Sequence, residues 1–365
     1  MYMETTLSDI ADGCKYGFVD GPFGSNLPSS CYKHKGIPVI RGCNLSIGKF
    51  RYIDQGYCFV DNIVLDKLSR STARKFDIIF TKKGTIGQIG IIPKNALYNL
   101  YLLSSNQMRL RVDISKADPY FVYYYLTQKN IIKKIIRDSE STGVPKTNLA
   151  YFRSFPIKLP ALSEQQAIAH ILGTLDDKIE LNRRQNATLE AMAQAIFKDW
   201  FVDFGPVHAK MEGRQPEGMS REIADLFPDR LDDEGKPEGW EWKTLDSILE
   251  LCYGKALKAS ERIPGKTPVY GSGGITGYHN QALVITPSII VGRKGTIGSL
   301  YIEHRPFYPI DTVFYVKSDY SIFFCYFILK QQKLKDMNTD AVKGGAGTLK
   351  KRLIRDWNMN KWKYV

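Results

Sequence analysis

Short apolar runs separated by turn-forming residues recur along most of this chain, and some of them recur as a set. Phe76-Asp77-Ile78-Ile79-Phe80 is followed, after a polar stretch, by Ile89-Gly90-Ile91-Ile92; Ser288-Ile289-Ile290-Val291 is followed likewise by Leu300-Tyr301-Ile302. Such runs predict strands. The same pentapeptide lies inside each pair: Lys83-Gly84-Thr85-Ile86-Gly87, and 211 residues later Lys294-Gly295-Thr296-Ile297-Gly298. Each half then offers an aromatic helix candidate, Tyr120 to Leu126 and Tyr320 to Phe327, and a small-residue segment, Ser141 to Lys146 and Gly344 to Lys350. A set repeated in order predicts two similar folded halves.

Between the halves the period changes. Pro156 and Pro160 hold Phe155 to Pro160 extended, because a proline disfavours helix in the residue before it. Ser163 and Gln166 then have the spacing of a capping box. A seam of period 3.5 follows: Ile168, Leu172, Leu175, Ile179, Asn182, Asn186, Leu189, Ala193, Ile196 and Trp200. It predicts a long helix packed against another helix, with the two asparagines fixing register. From Glu164 to Phe201 such a helix is about 57 Å long, more than one small domain spans. The reading is an α+β protein of two mixed α/β lobes joined by a coiled-coil-type helix. The expected organisation is a first lobe at 1–160, the helix at 161–204, a linker at 205–239 rich in Pro, Gly and acidic residues, a second lobe at 240–349 and a tail at 350–365.

Charge sharpens this picture. Net charge is +13, but residues 1–160 hold 23 basic against 12 acidic residues and residues 240–365 hold 19 against 10. The stretch 161–203 holds 4 against 7, and 204–239 holds 5 against 9. Two basic lobes on an acidic spacer suit a polyanion bound by the lobes. The six cysteines form no Cys-x-x-Cys pair and read as reduced thiols of a cytosolic protein. The five histidines form no metal-ligand cluster, and no secretory signal or membrane-spanning run is expected.

Catalytic motifs are not found. The chain has no phosphate-loop spacing, and Gly271-Ser272-Gly273-Gly274-Ile275-Thr276-Gly277 misses the dinucleotide spacing by one residue. No methyltransferase loop and no His-Glu-x-x-His or Gly-x-Ser-x-Gly element occurs. The repeated pentapeptide suits binding: its glycines permit close backbone approach, its lysine is a cation and its threonine has a hydroxyl. A turn retained because only glycine fits is the competing reading. The candidate polyanion-contacting residues are Lys82, Lys83, Thr85, Asn106, Arg109, Thr142 and Lys146 in the first half, and Arg293, Lys294, Thr296, Thr348 and Lys350 in the second. Arg109 and Arg111 alternate on an expected strand, where solvated side chains are the simpler expectation. Tyr123, Tyr124 and Tyr125 are expected in a core.

The whole arrangement resembles the specificity subunit of type I restriction–modification systems. Phe155 to Leu172, continuing through Leu175-Asp176-Asp177-Lys178-Ile179-Glu180-Leu181-Asn182, is similar to that family's conserved helix, and the two pentapeptides are similar to those of its two target recognition domains. The resemblance implies that each domain reads half of a bipartite site in the major groove of double-stranded DNA, with the helix setting the unread spacing. It implies methyltransferase (modification) subunits docked around the helices, methylating adenine with S-adenosylmethionine, and a restriction subunit cleaving with ATP and Mg²⁺. The chain itself would be non-catalytic, hold no cofactor or metal, and be cytoplasmic. Full-length members carry a second long helix, expected here from about position 367, because Gly143 precedes Ser163 by 20 residues and Gly347 is its counterpart; Phe155-Pro156 matches Trp357-Asn358, and Val365 precedes the expected start. The expectation is a truncated subunit whose seam (Ile168, Leu172, Leu175, Ile179, Asn182, Asn186, Leu189 and Ile196) pairs with a second copy, a fragment supplying the missing helix or a modification subunit. An inactive fragment, a DNA-acting enzyme with an unfamiliar site and a coiled-coil adaptor remain open on sequence.

Overall fold

The computed structural model describes residues 2–13, 16–139, 145–332, 334 and 353–356. The chain divides into two units, 1–185 and 186–365. In order, the first holds β1 (Met3–Thr6), β2 (Phe18–Asp20), β3 (Ile37–Ile40), β4 (Cys58–Val60), α1 (Asn62–Lys67), β5 (Thr72–Ala73), β6 (Ile78–Thr81), β7 (Ile89–Ile91), β8 (Tyr101–Leu103), β9 (Gln107–Leu110), α2 (Pro119–Leu126), α3 (Lys129–Asp138), α4 (Leu149–Arg153) and β10 (Pro156–Leu159). Helix α5 (Leu162–Phe201) follows, and the division falls within it. The second unit continues with α6 (Gly205–Met211), α7 (Arg221–Ala224), β11 (Glu241–Thr244), α8 (Leu245–Ile248), β12 (Glu250–Tyr253), β13 (Thr267–Gly271), β14 (Gly274–His279), β15 (Ser288–Gly292), β16 (Leu300–Glu303), β17 (Tyr308–Pro309), β18 (Val313–Lys317), α9 (Ile322–Gln331) and β19 (Leu353–Asp356).

The repeat extends to the pairing of strands. The first unit has a sheet β2-β9-β6-β7, the second a sheet β12-β18-β15-β16. Ile78 faces Ile91 and Phe80 faces Ile89 in one; Ile289 faces Ile302 and Val291 faces Leu300 in the other. Each unit adds a sheet in which one strand pairs antiparallel on one side and parallel on the other: β3 with β4 and β8, and β13 with β14 and β17. Each also holds a two-stranded antiparallel pair of strands distant in sequence, β1 with β10 and β11 with β19. Buried aliphatic and aromatic residues on these strands form the cores, including Ile78, Phe80, Ile91 and Leu110 in the first and Ile289, Val291, Phe314 and Val316 in the second. Tyr123 is buried, and Tyr124 and Tyr125 pack against the first core.

Several expectations change. The predicted linker 205–239 is folded. Pro206 sits at the start of α6, where its missing N–H costs nothing. Phe204, Val207, Met219, Ala224, Phe227 and Trp240 join the second unit's core. Strand β19 carries the second lobe beyond residue 349. Its register matches Pro156, opposite Thr6, with Leu353, opposite Thr244, five residues before the expected Asn358. The position equivalent to the start of α5 lies outside the described residues.

The helix also differs in its faces. It begins at Leu162, so Ser163 lies inside the first turn rather than before it. Gln165 does the anchoring: it is buried, its Nε2 donates to Pro160 O at 2.9 Å, and its Oε1 accepts from the Asp118 N–H at 3.0 Å. Within the first unit α5 packs through Gln165, Ala169, Gly173 and Asp176, where small residues admit the aromatic α2. The Tyr124 hydroxyl lies 3.9 Å from where a Gly173 Cβ would stand and donates to Asp176 at 2.9 Å. In the second unit Phe197 stacks on Phe327 at 5.6 Å, and Glu190 accepts from the Tyr326 hydroxyl at 2.7 Å. Of the predicted seam, Ile168 packs on the first core while Leu175, Ile179, Asn182, Asn186, Leu189 and Ile196 are exposed, Leu189 by 61%. Leu172 is exposed by 36%.

Candidate nucleic-acid interface

Both pentapeptides form the same turn. Gly84, Gly87, Gly295 and Gly298 have φ of 99°, 92°, 79° and 72°, a backbone region that L side chains enter only with strain. The Ile86 N–H donates to Gly84 O at 2.9 Å, and the Ile297 N–H to Gly295 O at 3.0 Å. Ile86 is buried as an anchor, leaving Lys83, Gly84 and Thr85 exposed; Lys294, Gly295 and Thr296 are exposed in the second copy. The glycines therefore answer to turn chemistry, and the exposed lysine and threonine are what the turn offers a ligand.

The frame around each turn repeats. The Lys82 N–H donates to Asn106 O at 2.8 Å and the Arg293 N–H to Thr312 O at 2.9 Å, so the β8–β9 turn and the β17–β18 turn stand at equivalent places. The residue just after each pentapeptide ties it to the other sheet. Gln88 Nε2 donates to Gly42 O at 3.2 Å, and Ser299 Oγ donates to Ser272 O at 2.6 Å. These four residues were missed from sequence, although Gln88 and Ser299 occupy one position of an evident repeat.

The side chains on this frame differ. In the first lobe Lys82 Nζ lies 3.2 Å from Asp20 Oδ1, and Lys83 bridges to Lys146 across an antiparallel pair. The Gly84 N–H donates to Pro145 O at 3.2 Å and the Thr147 N–H to Lys82 O at 2.9 Å. Lys82, Lys83, Thr85, Asn106 and Lys146, up to 64 residues apart in sequence, thus meet at one end of the sheet. In the second lobe the Arg293 guanidinium lies 4.9 Å from the Tyr253 ring centre and donates to Asp311 O at 3.3 Å. Lys294 Nζ lies 3.5 Å from Asp311 Oδ2, and Ser272 Oγ accepts from the Thr296 N–H at 3.4 Å.

Arg109 is a correction. It is 1% exposed, with Nη1 3.4 Å from Asp77 Oδ2 and Nη2 donating to Tyr16 O. Arg111 grips the same carboxylate through two bonds of 2.9 Å. A buried carboxylate retains these arginines, so Arg109 is not an exposed DNA contact and the solvated reading fails too. Thr142, Thr348 and Lys350 lie outside the described residues. In the second lobe a buried carboxylate serves differently. Arg305 holds Glu303 at 2.9 Å, and with the Tyr270 hydroxyl at 2.9 Å it lowers the Glu303 pKa from 4.5 to about 2.

The chemistry offered is that of a binding surface: ammonium, guanidinium, hydroxyl and amide groups on glycine turns. Among the described residues no group of His, Cys, Asp and Glu could hold a metal ion, and no helix is long and apolar enough to cross a membrane. Residues 65–191 and 237–354 match the family described as type I restriction modification DNA specificity domain. The chain belongs to that family. The two matched stretches of the specificity family contain both repeated turns and most of α5. The HindI type I specificity subunit of Haemophilus influenzae is 26% identical over 359 residues, covering 80% of this chain and 78% of the relative. The MjaIX type I specificity subunit of Methanocaldococcus jannaschii is 30% identical over 233 residues, 62% of this chain and 49% of the relative, so that match spans about half of it. A crystal structure of the type I S subunit from M. genitalium shares the fold at a TM-score of 0.50 and 17% identity, covering 100% of this chain and 86% of that one. Specificity subunits are DNA-recognition proteins rather than catalysts, and the two lobes of this chain are such recognition domains.

Proposed function

We propose that this chain reads a bipartite site in duplex DNA, one half per lobe, for a type I restriction–modification complex in the cytoplasm. The observation that carries the reading is the duplicated turn on a duplicated frame, each bearing different exposed side chains on a basic lobe. Lys83, Thr85, Asn106 and Lys146 contact one half-site; Arg293, Lys294 and Thr296 contact the other. Thr142, Thr348 and Lys350, in segments that follow the aromatic helices in sequence, are further contacts in this reading. Adenine methylation with S-adenosylmethionine and cleavage with ATP and Mg²⁺ belong to modification and restriction subunits, and the chain itself holds no cofactor.

The exposed seam through Leu172, Leu175, Ile179, Asn182, Asn186, Leu189 and Ile196 supports a helical partner, because a row of exposed apolar residues at coiled-coil spacing costs solubility unless covered. That partner is a modification subunit, a second copy or a fragment supplying another helix. Co-expression with the modification subunit in a methylation-free host, followed by mapping of methylated adenines, tests the reading. A motif of two defined halves around an unread spacer is expected. Methylation at a continuous motif, or at none even when a second helix is supplied, overturns it.

A further inference from the structure

The repeated pentapeptide is identical in both lobes, so it cannot by itself distinguish two half-sites. Discrimination must come from positions that the frame fixes equally and the sequence fills differently. The two-residue turns Ser105-Asn106 and Asp311-Thr312 meet that condition: each lies against its pentapeptide through an equivalent backbone bond of 2.8 and 2.9 Å. We infer that these turns carry base discrimination, and that the Asp311 carboxylate selects cytosine through its exocyclic amino group. The inference rests on the DNA-reading function proposed above and names the side chains that perform it.

Asp311 and its partner Lys294 are 48% and 55% exposed, with 3.5 Å between charged atoms. Such a pair is weak and exchangeable, so Lys294 can leave for a phosphate and free the carboxylate for a base edge. A carboxylate only accepts hydrogen bonds. In the major groove cytosine offers a donor, and adenine offers one only beside its own N7 acceptor, which repels a carboxylate as guanine N7 and O6 and thymine O4 do. Arg293, stacked on Tyr253 and donating to Asp311 O at 3.3 Å, sets a cation behind the turn and offsets repulsion between Asp311 and DNA phosphates. In the first lobe the Asn106 amide, which can donate and accept together, fits adenine N6 and N7.

The test is the methylated motif of the full chain assembled with its modification subunit. Asp311→Asn should weaken the preference for cytosine at one position of one half-site by about tenfold, the scale of one side-chain-to-base contact. The other half-site should stay unchanged, which shows that the variant is folded and assembled. Asn106→Ala should act on the opposite half alone, and the double change Ser105→Asp with Asn106→Thr should bring a cytosine preference into the first half. The inference is overturned if Asp311→Asn and Asp311→Ala leave both halves as they were, or if either blurs both halves together. A wild-type chain that directs methylation to no sequence sinks the DNA-reading function itself and this inference with it.

Discussion

At the start of the strand leading into each repeated turn, the first lobe buries Asp77 and the second buries Ser288. The Asp77 carboxylate accepts from Arg111 and Arg109 and from the Arg74 N–H at 2.8 Å. Ser288 Oγ donates to Val316 O at 2.6 Å and accepts from the Val316 N–H at 3.1 Å. Across the sheet, Tyr315 occupies in the second lobe the register place of Arg109 in the first. One backbone arrangement is thus stabilised by an ionic cluster in one lobe and by a neutral hydroxyl in the other. Equivalent positions should therefore respond unequally to the same kind of substitution.

The sharpest way to break that comparison is to truncate both residues to alanine. Asp77→Ala leaves buried arginine charge uncompensated and should cost the first lobe about 3–5 kcal/mol. Ser288→Ala loses two neutral bonds and should cost the second lobe about 1–3 kcal/mol. Hydrogen exchange read peptide by peptide during denaturation separates the lobes; equal losses would refute the ionic reading of the first core.

The next effect places the second lobe's own ion pair under pH control. Glu303 has a folded pKa of about 2 against an ordinary 4.5, so its stabilisation is complete above about pH 4.5 and is lost as pH falls toward 2. Glu303→Gln should lower second-lobe stability near neutrality by about 2 kcal/mol, discounted for the exposed arginine. The gap from wild type should close between pH 4.5 and 2, a window that thermal melts at stepped pH would cover. A constant gap would contradict the assignment.

Smaller still is the cost of filling the turn. Gly84 and Gly87 both have positive φ, which costs an alanine about 1–2 kcal/mol. A Cβ at Gly87 would also stand 3.1 Å from Ile136, whereas Gly84 faces open space. Gly87→Ala should therefore lower Tm more than Gly84→Ala. The smallest change expected in stability, but a visible one in binding, comes from the exposed tips. Lys83→Ala and Lys294→Ala should each leave Tm unmoved and reduce the slope of log affinity against log salt by about 1. An unchanged slope for one of them would remove that tip from the DNA interface.

The repeat was legible because glycines at forced positive φ and flanking β-branched runs leave a signature in a single sequence. The long helix was legible for the same reason, from its period and the prolines before it. What escaped depends on partners distant in the chain. Arg109 looks like any strand cation until Asp77, 32 residues earlier, is seen beneath it. The stretch 205–239 looks like a linker because its many acids outnumber Val207, Met219, Ala224 and Phe227, whose burial is decided by the lobe they cover. Of the candidate surface, Lys82, Lys83, Thr85, Asn106 and Lys146 come together as a cluster that no local spacing announces. Ser272 reaches the second turn from the end of β13, and Asp311 from the antiparallel pairing of β15 with β18, in which Gly292 faces Val313.

The pairing of β1 with β10 sets a schedule for synthesis. Met3 pairs with Leu159, so β1 cannot find its partner until 156 more residues have been added. At about 5–20 residues per second that wait is on the order of 8–30 s. Until then β1 is an unpaired edge on a nascent chain. Helix α5 begins three residues after Leu159, so β1 can pair with β10 just as the helix starts to emerge.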